Sequence, residues 1–156
     1  MKKPLAVGAA ILAVVLSLGL VACGSSDDSG DSGDSGNATL SNSELIAQAD
    51  QVCADYNDKL TEIQKNADLD SDSSKADIAA FISDDIVPLY KDQIADLREL
   101  NPNEDDSEAF NDIVDTLDSE LKTVEDDPEG SIEESDPFAG ATAKAKEFGL
   151  KVCGSN

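Results

Sequence analysis

From Leu45 to the C-terminus, apolar residues return every three or four positions, and this rhythm restricts the chain to helices. Leu45, Ala49, Val52, Cys53, Tyr56, Leu60 and Ile63 mark the inner face of a first helix. Ser41 and Glu44 have the spacing of a capping box at its start. The polar stretch Asn66 to Ser74 predicts a loop. A second helix is expected from about Lys75 to Leu100, with Ile78, Phe81, Ile82, Ile86, Leu89, Ile94 and Leu97 turned inward. Pro88 lies inside it and has no N–H to donate, so the helix should kink or split there. Asn101-Pro102 ends it, because the residue before a proline avoids helical angles. A third helix, about Glu104 to Glu125, carries Phe110, Ile113, Val114, Leu117, Leu121 and Val124. Its acidic start suits the positive end of the helix dipole, and Asp127-Pro128-Glu129-Gly130 breaks it. A fourth helix is expected from Asp136-Pro137, with Phe138, Ala141, Ala145 and Phe148 inside and Gly149 as a left-handed stop. No stretch alternates as a half-buried strand would. The expected fold over residues 44–156 is therefore all-α, an antiparallel four-helix bundle with a kinked second helix. With no Trp and four Phe, its core should be light.

The residues ahead of this rhythm belong to a different class. Lys2 and Lys3 precede an uncharged run from Leu5 to Ala22, so residues 1–22 read as an export signal and are set aside from the fold. The run ends in Leu20-Val21-Ala22-Cys23, which resembles the lipobox of bacterial lipoproteins. That resemblance implies a diacylglyceryl group on the Cys23 thiol and cleavage between Ala22 and Cys23. It also implies attachment at the extracellular face of the cell membrane, where two acyl chains hold stably and one does not. The alternatives are an uncleaved span, since about 18 apolar residues is the lower limit for crossing a bilayer, and secretion without an anchor. Residues 23–43 follow as a flexible tether in which Asp-Ser-Gly recurs at 28–30, 31–33 and 34–36. A coil of that length reaches about 25 Å on average.

Removal of Lys2 and Lys3 with the signal leaves nine basic against 34 acidic residues, a balance of −25. Nucleic acid is excluded as a partner, since phosphate binding needs clustered Lys and Arg. Anionic headgroups repel such a body, so membrane association rests on the lipid at Cys23.

With Cys23 lipidated, Cys53 and Cys153 remain, and an even pair in an exported protein reads as a disulfide. The chain has no histidine, so neither thiol has the usual activating partner and imidazole-dependent catalysis is excluded. Two cysteines are too few soft ligands for a metal site. The only methionine is Met1, and no Gly-rich phosphate loop occurs. Asp68-Leu69-Asp70-Ser71-Asp72-Ser73 opens like a calcium loop, but Ser73 and Ala79 stand where Gly and a bidentate Glu are required. Paired carboxylates such as Asp84-Asp85 and Asp126-Asp127 fall on solvent-facing turns. Tyr56 and Tyr90 are expected to fill the core with their hydroxyls hydrogen-bonded. No cofactor, no metal and no catalytic residue is expected.

Three short pieces in order widen the resemblance: Ala49-Asp50-Gln51-Val52-Cys53, Leu97-Arg98-Glu99-Leu100-Asn101-Pro102 and Phe148-Gly149-Leu150-Lys151-Val152-Cys153-Gly154. Together they resemble the small helical lipoproteins of unknown function found in high-GC Gram-positive bacteria. The resemblance implies a cysteine-linked helical domain outside the cell and carries no activity with it. The expected role is a non-catalytic envelope module that binds an envelope protein or an extracellular ligand. The alternative is an acidic, space-filling surface coat.

Overall fold

The computed structural model of the chain describes residues 39–155. The expected signal segment 1–22, the expected lipidation site Cys23 and the expected tether as far as residue 38 lie outside the described residues. The described residues are all-α, with no strand and a single isolated bridge between Leu40 and Pro102.

Helix α1 spans Asn42–Asn66. Its start is the predicted capping box: the Ser41 N–H donates to Glu44 Oε2 at 2.9 Å and the Ser41 hydroxyl donates to the same oxygen at 2.5 Å. These bonds favour the ionised form and hold the Glu44 carboxyl below its ordinary range.

The second helical stretch is split. Helix α2 covers Lys75–Phe81, a π turn covers Ile82–Ile86, and α3 covers Val87–Glu99. In the π turn the Val87 N–H reaches back to the Ile82 carbonyl, five residues away rather than four. Pro88 follows at once, in the first turn of α3. A proline ring clashes with the carbonyl four residues upstream and offers no donor. One extra residue in the preceding turn relieves both problems, and such insertions are a recognised cause of helix irregularity.

Helix α4 spans Glu104–Asp126, capped by the Asn103 side chain, which accepts from the N–H groups of Asp105 and Asp106. Two expectations about the segment after it are corrected. Asp127-Pro128-Glu129-Gly130 ends α4 and also begins a one-turn helix, α5 (Pro128–Ser131), because Asp127 Oδ1 accepts from the Gly130 N–H at 2.9 Å. The last helix, α6, covers Ala139–Phe148 and starts after Pro137 rather than at it. Asp136 Oδ1 accepts from the Phe138 N–H at 3.1 Å, which folds Asp136-Pro137-Phe138 into a turn. The first donors of α6 are met from a distance: Glu120 of α4 accepts from Gly140 N–H at 2.8 Å and Ala141 N–H at 3.0 Å. A Cβ at Gly140 would lie 2.4 Å from Glu120 Oε1, so a side chain there displaces the cap.

Gly149 ends α6 as expected, with φ 107° and its N–H bonded to the Ala145 carbonyl. An L side chain is strained in that conformation. Gly149→Ala is expected to destabilise the fold by about 1 kcal/mol, read as a shift in the midpoint of chemical denaturation. An unchanged midpoint would contradict the strain.

One core unites the helices. Leu45 and Ala49 of α1, Ile94 and Leu97 of α3, Phe110 and Leu121 of α4, Ala145 of α6 and Leu150 beyond it are all buried together. Helix α4 packs against both α3 and α6, and α1 packs against α3. The chain joins the body where α3 ends and α4 begins: the Leu40 N–H donates to the Asn101 carbonyl at 2.8 Å, and the Asn103 N–H donates to the Leu40 carbonyl at 3.2 Å. Twenty-five residues of α1 then carry the chain about 37 Å to the opposite pole. There α2 packs against α5, with an ion pair between Lys75 and Glu133, and no residue of α2 is fully buried.

Candidate functional site

The two predicted cysteines meet. Cys53, on the inner face of α1, is disulfide-bonded to Cys153, with their Cα atoms 5.3 Å apart. The approach is built from several local causes. Gly149 stops α6, Leu150 turns inward to 3% exposure, and the chain then runs along α1. Asp50, one turn before Cys53, receives the incoming backbone. Its Oδ2 accepts from Lys151 N–H at 3.0 Å, and its Oδ1 accepts from Val152 N–H at 2.8 Å and Cys153 N–H at 3.3 Å. Three donors that no helix can use are thereby satisfied. From the other side Gln93 of α3, the buried polar residue among the described ones, donates from Nε2 to Cys53 Sγ at 3.3 Å. Asp50 and Gln93 are thus two members of the clasp that pattern reading missed. The only sequence signal for Asp50 is its place one turn ahead of Cys53; Gln93 has none.

Beside the disulfide lies a void of about 40 Å³, bordered by Tyr90, Gln93, Phe110 and Phe138. Tyr90 and Phe138 stack on one another at its border, with ring centroids 4.6 Å apart. The space suits at most a few waters. Tyr90 is half-buried against the core, and burial, then the negative charge of Asp136, raises the pKa of its hydroxyl.

Tyr56 fills the core, 6% exposed, and its hydroxyl donates to Asp96 Oδ2 at 2.8 Å. Lys59 Nζ lies 3.8 Å from the ring centroid. Burial, then the hydrogen bond to Asp96, then the negative charges of Asp96 and Asp92 push the Tyr56 pKa up to about 12. The unfolded tyrosine ionises near pH 10. The protonated ring therefore stabilises the fold fully below pH 10, and that contribution falls away as pH rises from 10 to about 12. A phenolate absorbance titration of the native protein against Tyr56→Phe should show the missing step near the top of that window. A step lost near pH 10 would contradict the placement.

The loop between α1 and α2 is held by its own groups. Asp70 Oδ1 accepts from Asp72 N–H at 2.9 Å, and Ser74 and Asp77 cap the start of α2 reciprocally. Among the described residues no cluster of three or more His, Cys, Asp or Glu could hold a metal ion. Asp84, Asp85 and Asp126 are exposed, and Asp127 is occupied as the α5 cap. At the pole far from Leu40, Ile63, Ala67, Leu69 and Phe81 line an open groove of about 400 Å³, together with Asp68 and Asp85. No helix among the described residues is long and apolar enough to cross a membrane.

Comparison with known proteins gives no match to the chain, whether by family, by curated protein or by solved structure.

Proposed function

We propose that this chain is a lipid-anchored, non-catalytic module of the bacterial cell envelope, which contacts another envelope protein through its surface. The signal-like start, the lipobox-like Leu20-Val21-Ala22-Cys23 and the Asp-Ser-Gly tether support the anchor. The helical body then stands outside the cell at the end of that tether, as in the small high-GC Gram-positive lipoproteins it resembles. We further propose that α1, the split second stretch, α4 and α6 form an antiparallel four-helix bundle. In it, α1 and α4 leave the tethered pole and α3 returns to it.

One observation carries the choice of surface contact over an enclosed ligand. The void inside the body, at the disulfide, is about 40 Å³, whereas small-molecule pockets run to about 300–1,000 Å³, and hollows of about 400 Å³ or more are open grooves on the surface. Specific recognition by such a body uses its outside. The test is crosslinking in intact envelopes, with the Cys23→Ala form as the unanchored comparison. A single reproducible protein partner, crosslinked to the anchored form and lost when the chain is released to the medium, is the expected result. Absence of any reproducible partner would overturn the reading. So would a phenotype that survives every charge-preserving scramble of exposed positions, since that is the behaviour of a coat.

A further inference from the structure

We propose that the groove at the untethered pole is a docking site for a cationic amphipathic helix of a protein partner. The proposal rests on the surface-contact reading above and adds the place and the chemistry.

The first support is an apolar face left half open. Helix α2 carries Ile78 and Phe81 yet buries no residue fully. Ile63 from α1, Leu69 from the loop and Phe81 from α2 line the groove and stand apart from the buried core that holds Leu45, Phe110 and Leu121. Burying apolar surface is worth about 25 cal/mol per Å², so a second apolar surface laid on these side chains gains what the body itself leaves unused. The π turn adjoins the site, with Phe81 just before it and Asp85 within it, and both line the groove. The π turn shifts the helical register by one residue between Phe81 and α3.

The second support is charge. The ionisable residues lining the groove are Asp68 and Asp85, with no Lys or Arg among them. Asp70, Asp72 and Asp84 are exposed and lie within three residues in sequence of a lining residue. Two lysines lie close in sequence: Lys75 is paired with Glu133, and Lys65 borders an adjoining hollow of α1 that shares Asn66 with the groove, where Asp58 and Glu62 stand beside it. An apolar floor with an acidic rim is complementary to a helix with Leu-like residues on one side and Lys or Arg flanking them. It repels a second copy of this acidic chain and anionic lipid alike. The third support is position. The groove lies at the far end of α1, about 37 Å along the helix from the Leu40 end of the body, well apart from the point where the chain enters.

The secreted Cys23→Ala chain, labelled for amide NMR, is titrated with a synthetic helix-forming peptide of Leu and Lys, about 14 residues or four turns long. A Leu–Glu counterpart and a scrambled Leu–Lys peptide without an apolar face serve as comparisons, all at about 0.1 M salt to suppress diffuse attraction. The expected result is saturable shifts confined to residues 63–69 and 81–85, for the amphipathic Lys peptide alone. Leu69→Asp and Phe81→Asp should each weaken binding about tenfold or more, with the thermal melt showing that the body remains folded. If Phe81→Asp fails to fold, the pair Asp68→Asn with Asp85→Asn should give the same loss. Shifts spread over every acidic face, equal binding of the scrambled or Glu peptide, unchanged affinity in the variants, or no binding would overturn the proposal. An envelope partner that crosslinks equally to the groove variants would also overturn it, while leaving the surface-contact reading intact.

Discussion

Replacing Cys53 and Cys153 together by Ser lowers the free energy of unfolding by about 4–5 kcal/mol, on the chain-entropy argument for a long closed loop. The two residues lie 100 apart in sequence, so the bond closes a loop through almost the whole body. Cutting it frees the unfolded chain far more than it perturbs the folded one. The native contacts around the site persist in the variant: Asp50 still accepts from the backbone of residues 151–153, and Leu150 still fills the core. Helix content should therefore change little at low temperature, while the denaturation midpoint falls steeply. Domains of this kind have about 5–15 kcal/mol in total, so the loss is a large share. Chemical denaturation of the native and double-Ser chains checks it, and reduction of the native chain should reproduce the shift. A difference under about 1 kcal/mol would mean that the bond restrains an already compact unfolded chain.

Phe110→Ala is the second large effect. Phe110 is 1% exposed in the second turn of α4, and its ring lies 6.0 Å from that of Phe148. Truncation removes buried apolar area and leaves a cavity among Leu45, Val114 and their neighbours, together about 3–5 kcal/mol. Phe81→Ala offers the contrast. That ring is half-buried and apart from the core, so its loss should cost well under half as much as that of Phe110. Equal losses at the two positions would mean that the untethered pole is as well packed as the middle. The groove would then be part of the core rather than a surface.

These two contrasts also show what the amino-acid sequence made legible. The bounds of α1 and α4 followed from apolar spacing and from caps that lie within a few residues of the helix they serve, such as Ser41 with Glu44. The cysteine pairing followed from counting, once Cys23 was set apart. What escaped depends on distance in sequence. Glu120 caps α6 from α4, Asp50 receives backbone from 101 to 103 residues away, and Gln93 meets Cys53 across two helices. No local pattern encodes those meetings. The effect of Pro88 was legible as a break, whereas its form, a π turn ahead of the ring, depends on how α2 and α3 both stay in contact with their neighbours. The groove escaped for a related reason. Ile63 and Phe81 have the same spacing as core residues, and periodicity cannot tell an apolar face that is covered from one that is half open.

The tether at Cys23 is tested most directly by the intact mass of the protein extracted from membranes in detergent. The predicted species begins at Cys23, carries a diacylglyceryl group there, and is two hydrogens short for the Cys53–Cys153 bond. A chain that retains residues 1–22, or that carries no lipid on Cys23, would contradict the envelope-anchored module proposed for it.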